Sequence, residues 1–439
     1  MRHISDGAGN QIPSRDDLFH QLEIANRNAK IWVAVQALAV IVVVLFIDWP
    51  AAMAAPILTT VAIGMMVGPT ATELARLWAQ NKREIGDLKE DTRFGVFDKH
   101  RLRMLYRDTV QRLGLPDQRL PVYITADKSL NASALRLGLG AFFKSLNGIY
   151  LNRQVLHRLT PEEVQDIMGH ELGHYYRYYL VSDRFRSLNM VLGALLGLLV
   201  AQWTGMESIF SVVISFALAT GFWTLSGMLW SKHGQTIEYL CDDLGAQVHG
   251  VHVSINGLLK LGVDAETMLE IRHQTLLSKQ KGNLSPRAVV EAVEAAIPYG
   301  SSSREELEKA VTRSLAKTAE KENRLSIAGF LDYAWNSENH ADIDEQLEEQ
   351  AKKMQVLQSV PRIDWESLLQ NRNEICFYDH DLPRLIELIQ TRPEAALFRL
   401  PQEIGAVEDV HPPLKNRILY LWHNRDEIQR AARSAYRYT

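Results

Sequence analysis

The sequence predicts a mainly α-helical, polytopic membrane protein with two transmembrane hairpins and a helical C-terminal extension. Three observations predict it. Four apolar runs contain no Asp, Glu, Lys or Arg, and they come in two close pairs. A well-capped helix carrying His170-Glu171-Leu172-Gly173-His174 lies between the pairs. A long polar stretch with amphipathic, helix-period segments follows the second pair.

The runs are Ile31–Ile47, Trp49–Thr72, Ser187–Met206 and Ser208–Trp230. Each is about long enough to cross a hydrocarbon core of roughly 30 Å as a helix. Asp48-Trp49-Pro50 and Gly205-Met206-Glu207-Ser208 connect them and hold no Lys or Arg. Arg27, Lys30, Lys82, Arg83, Arg184, Arg186 and Lys232 flank the outer ends, so the positive-inside rule puts both termini and the segment between the hairpins in the cytoplasm. The first thirty residues are too polar for a secretory signal, which makes the first hairpin a retained anchor. A net charge of −4 gives no sign of a nucleic-acid partner. Two cysteines, Cys241 and Cys376, fit a reduced compartment without a disulfide framework.

On the central helix, Thr160 reads as N-cap, Pro161 as first-turn proline and Glu163 as capping-box partner. His170 and His174 stand one above the other at i and i+4 and present two imidazoles to one point. Glu171 sits at the edge of that face, placed to act as general base toward a metal-held water. The uncharged flanks Ile167, Met168, Gly169, Leu172 and Gly173 argue against a solvated helix face. A third ligand is expected from Glu238, on a helix bounded by Gly234 and continuing through Leu244 and Ala246. Asp242, one turn on, would hydrogen-bond a ligand histidine.

The order of these parts resembles the HtpX-type membrane zinc endopeptidases, relatives of the CAAX prenyl endopeptidases. Leu120–Thr125 followed by Asn131-Ala132-Ser133-Ala134 is similar to that family's short strands. Gly148–Asn152 leading through Leu159–Glu163 is similar to its last strand and helix cap, and His411-Pro412-Pro413 with Arg417 to its late His-Pro…Arg motif. The resemblance implies a small α+β, zincin-like catalytic domain, one zinc ion per chain, and a bacterial inner-membrane location. It implies peptide-bond cleavage of membrane or misfolded proteins on the cytoplasmic side. Asn131, Ala132 and Ser133 would form a substrate-holding edge strand. His411 or Arg417 would stabilise an oxyanion, or Arg417 would instead pair with Asp242. The expected organisation is an N-terminal cytoplasmic segment (1–30), hairpin (31–72), catalytic part with the metal helix (73–186), hairpin (187–230), third-ligand segment (231–260), helical insertion (261–404) and C-terminal catalytic-support segment (405–439).

Two positions depart from the family's pattern. Gln235 stands where arginine is usual and Cys241 where alanine is usual. Tyr175, Tyr176, Tyr178 and Tyr179 read either as an aromatic belt at the membrane interface or as helix packing. In the insertion, Val289–Ile297, Glu305–Leu315 and Asp342–Val356 read as helices, and Arg362–Gln390 as one or two more with Trp365, Phe377 and Leu385 as core. The insertion is a candidate for a homo-oligomer contact or a regulatory partner. The competing functions are a CAAX-type processing peptidase, a lipid or small-molecule hydrolase, and a catalytically silent membrane scaffold.

Overall fold

The computed structural model describes residues 12–79, 81–115, 120–126, 130–136, 147–181, 185, 187–205, 209–231, 233–279, 313, 355–357, 359–371, 374–403 and 411–435. It is mostly helical with one small sheet. The chain opens with α1 (Arg15–Phe46), capped by the Ser14 side chain accepting from the Asp17 amide. This helix runs through the expected boundary at residue 30. Its first half packs Leu18, Leu22 and Ala25 into the main core, and only its second half is the first apolar run. Arg15 Nε bonds Asp243 at 2.6 Å, tying that first half down.

The second run is not one helix. Asp48 caps the short α2 (Trp49–Ala54), and the chain restarts at Pro56 as α3 (Pro56–Ala79), where a first-turn proline gives up no intrahelical bond. The other runs form α7 (Ser187–Thr204) and α8 (Ile209–Ser231). Val43, Leu58, Leu192, Leu195 and Leu198 build a second apolar core among these helices. Helices α7 and α8 approach closely through small residues: a Cβ on Gly193 would lie 2.6 Å from Ala219 Cα, and one on Gly197 2.5 Å from Ser215 Cα. Gln36 donates to Asn189, a buried polar pair between α1 and α7. Among the described residues one helix, α1, is long and apolar enough to cross a membrane, with shorter apolar stretches at Pro56–Gly68, Leu188–Thr204 and Ile209–Phe222.

Between the hairpins lie β1 (Lys82–Glu84), β2 (Arg93–Phe94), β3 (Phe97–Asp98), α4 (Lys99–Arg112), β4 (Val122–Thr125), β5 (Ala132–Arg136), β6 (Asn147–Asn152), α5 (Arg153–Arg158) and α6 (Pro161–Leu172). Strands β1, β4, β6 and β5 form a sheet in that order, with β4 parallel to β6 and β5 antiparallel to it. Strand β5 is therefore an edge, with one row of backbone groups unpaired among the described strands. After the second hairpin come α9 (Gly234–His249) and α10 (Val251–Lys279), the latter crossing the expected boundary at 260.

Beyond residue 355, Trp365, Phe377 and Phe398 pack as an aromatic group. Trp365, Phe377 and Leu385 are buried at 0–1 % exposure, around a 3-10 turn (Trp365–Leu368) and α11 (Leu382–Thr391). Helices α12 (Leu414–His423) and α13 (Arg425–Ala435) close the fold against α9 and α10. Residues from 363 to 400 share one continuous core with the sheet, α6, α9 and α10, so this part of the expected insertion is joined to the catalytic core. Val289–Ile297, nearly all of Glu305–Leu315 and nearly all of Asp342–Val356 lie outside the described residues.

Candidate active site

Helix α6 starts as its sequence dictates. The Thr160 hydroxyl accepts from the Glu163 amide, the Thr160 amide donates to the Glu163 carboxylate at 2.8 Å, and Pro161 fills the first turn. Lys260 holds the same Glu163 carboxylate at 2.6 Å, which joins the helix start to α10. After Leu172 the chain passes into a π-helical turn, Gly173–Arg177, so His174 lies where the hydrogen-bond ladder widens, a local departure often found at functional sites.

Glycines decide how close the third ligand comes. A Cβ on Gly169 would sit 3.0 Å from Gly245 Cα, and one on Gly173 2.9 Å from Cys241 Sγ. Helix α9 therefore lies directly against the motif and delivers Glu238 to it. Cys241 is fully buried in this contact, and burial pushes its thiol well above the usual range. Its role here is to pack against Gly173.

His170 Nε2 lies 3.1 Å from His174 Nε2, and the two nitrogens are 3.5 and 3.3 Å from the Glu238 carboxylate oxygens. One donor atom from each of the three residues falls within 4.8 Å of the others. Ligands at about 2.0–2.2 Å from a tetrahedral ion stand roughly 3.3–3.5 Å apart, so this spacing fits a metal. Glu238 Oε2 is buried without a hydrogen-bond partner, and two imidazole nitrogens face each other across a gap that a cation would fill.

The electrostatics agree. Burial alone would lower the His170 imidazole, but Asp242 and Glu238 push it up to about 10, so the site favours positive charge at this point. Burial would raise Glu238, yet His170, His174 and Arg417 hold its carboxylate far below the usual range. Burial pushes Glu171 up, with His170, His174 and the Ala134 backbone amide acting the other way.

Behind the ligands, Asp242 Oδ1 lies 2.9 Å from His170 Nδ1 and fixes that ring. Arg417, from α12, grips Asp242 with two bonds, Nε at 2.6 Å and Nη2 at 2.5 Å. Burial would raise Asp242, but Arg417 and His170 keep it below the ordinary carboxylate range. The guanidinium thus pairs with Asp242, the alternative role the sequence left open for it, while also lining the cleft with Nη2 4.0 Å from Glu238 Oε2. His411 stands at the cleft mouth, 59 % exposed, with Nε2 3.6 Å from Glu238 Oε1.

A cleft of about 330 Å³ joins these groups, with Asn131, Ala132, Ser133 and Ala134 along one wall. Asn131 immediately precedes β5 and its side chain accepts from the Ala132 amide, while Ala132 and Ser133 are on the edge strand itself. Leu130, Leu159, Leu258 and Leu261 also line the cleft, and so does Asp166. Sequence reasoning missed these lining residues. Asp166 alone carried a legible mark, being one helical turn before His170 on the same face. Of the tyrosines after the motif, Tyr178 is 5 % exposed against Phe19, and the half-buried Tyr175 and Tyr176 meet edge to face on the main core.

The family model described as Peptidase family M48 matches residues 98–423, from α4 to the end of α12. Comparison with curated proteins and with solved structures gives no match.

Proposed function

The chain belongs to peptidase family M48, a metallopeptidase family, and on that premise we propose that it is a zinc-dependent, integral-membrane endopeptidase that cleaves extended segments of membrane or misfolded proteins on the cytoplasmic side. The observation that carries the reading is the convergence of His170, His174 and Glu238 beside Glu171, alongside an edge strand.

His170, His174 and Glu238 would hold the zinc. When bound, it supplies Lewis-acid polarisation of the peptide carbonyl and lowers the pKa of water. Glu171 takes the proton from water and returns it to the leaving amine, and the rise that burial gives its carboxyl suits that exchange. Asp242 holds the His170 ring so that Nε2 faces the ligand point, and Arg417 keeps Asp242 ionised. The edge of β5, whose Ala134 amide meets Glu171, would hold an extended chain by its other backbone groups, which tolerates many sequences and suits a quality-control substrate. His411, whose Nε2 lies 3.6 Å from Glu238 Oε1, would donate to the oxyanion.

The membrane part of the reading rests on the surface of the apolar helices. Leu45, Trp203 and Ile209 are 77–82 % exposed, and the outward faces carry no charge over the four runs. Water would penalise such a belt, whereas a bilayer would cover it. Close glycine contacts between α7 and α8 and a buried Gln36–Asn189 pair are how helices associate in lipid. The lysines and arginines at the outer ends support a cytoplasmic catalytic domain.

Purification in detergent, metal analysis and casein cleavage test the proposal. We expect about one zinc per chain and cleavage that Glu171→Gln abolishes while retaining the metal. A protein without zinc, or a Glu171→Gln variant as active as wild type, would sink it.

A further inference from the structure

We propose that Asp166 makes the cleft select a cationic side chain, lysine or arginine, from the segment lying along β5; this rests on the peptidase reading above. Asp166 is four residues before His170 on α6, so it faces the same cleft one helical turn from the metal point. It is half-buried, in a cleft whose lining also includes Leu130, Leu159, Leu258 and Leu261. One carboxylate oxygen, Oδ1, accepts from the Ser254 hydroxyl of α10. The other, Oδ2, points toward Gly257, where even a Cβ would stand 4.0 Å away, so no side chain from α10 covers it there.

Cations on neighbouring elements are engaged elsewhere: Arg158 with Asp264 at 3.3 Å, Lys260 with Glu163, and Arg417 with Asp242. Among the described residues no Lys or Arg forms an ion pair with Asp166. A partly desolvated carboxylate in a cleft with apolar lining is costly until a cation meets it. A lysine or arginine matches both features, laying its aliphatic stem along the leucines and carrying its charge to Oδ2. A purely apolar side chain would fill the volume but leave the carboxylate unpaired, and an acidic one would be repelled.

The test uses the full chain carrying Glu171→Gln and zinc, so that bound peptides survive. Fluorescence anisotropy would compare two labelled, extended peptides differing only by lysine or norleucine at one position, scanned along the sequence. At one position the lysine peptide should bind at least tenfold tighter. Adding Asp166→Asn, which keeps an acceptor for Ser254, should remove the difference. Ser254→Ala, which keeps the carboxylate, should preserve it and thereby exclude a purely structural role. Equal affinity for the two peptides at every position, binding of neither, or a preference unchanged by Asp166→Asn would each overturn the proposal. A lysine preference in binding without any cleavage by the zinc-loaded wild type would support Asp166 as the selector and count against the peptidase reading alone.

Discussion

Replacing Arg417 by Met tests how the metal ligands are held. The guanidinium makes two short bonds to Asp242, and both side chains are 5–8 % exposed. Removing one partner of such a buried pair leaves an uncompensated charge and costs about 3–5 kcal/mol. The cost has a second consequence, because Asp242 also orients His170 through Nδ1. Without Arg417 the Asp242 carboxyl rises and takes up a proton more readily, and zinc affinity should fall roughly 10–100-fold. Asp242→Asn in the same background removes the orphaned charge, so the double variant should recover stability relative to Arg417→Met alone. Thermal unfolding in detergent with and without chelator, together with zinc competition, gives the full cycle. A coupling of roughly 1–3 kcal/mol is expected for a contacting buried pair. Effects that add within about 0.5 kcal/mol, with unchanged zinc affinity, would refute the reasoning.

Three further outcomes are expected. Gly173→Ala puts a Cβ 2.9 Å from Cys241 Sγ, so it should push α9 from α6 and weaken zinc binding; Gly173→Ala with Cys241→Ala should restore part of it, as measured by zinc competition. Gly197→Leu meets Ser215 Cα at 2.5 Å and should part α7 from α8, lowering thermal stability in detergent more than Gly221→Leu, whose Cβ meets open space. Glu403 is pushed up to about 7 by burial, and its Oε2 has no hydrogen-bond partner, so the folded state holds its proton more tightly than the unfolded chain. The resulting penalty is absent below the unfolded value, grows between about pH 4.5 and 7, and is complete above that, with a limiting slope of about 1.36 kcal/mol per pH unit. Glu403→Gln should therefore gain stability over wild type as pH rises from 5 to 8; a pH-independent difference between the two would contradict this.

Much of the site was legible before any coordinates, because its logic is local. A capping box needs Thr160, Pro161 and Glu163 at fixed offsets, and i, i+4 spacing alone puts His170 and His174 together. Charge-free runs mark apolar helices by composition, although a proline at 56 split one run and the main core claimed the first half of α1, which composition does not report. Local rules thus specify the helix carrying the motif, its cap, and the residue types able to bind a metal.

Tertiary structure decided the rest, since it depends on contacts between residues far apart in the chain. Glu238 reaches the histidines only because Gly169 and Gly173 let α9 approach, and Arg417 finds Asp242 from 175 residues away. That Cys241 packs against Gly173, that Tyr178 meets Phe19, and that Asp166 opens onto the cleft all follow from which helix lies against which. Periodicity fixes the face a residue occupies on its own helix; only packing fixes what that face meets.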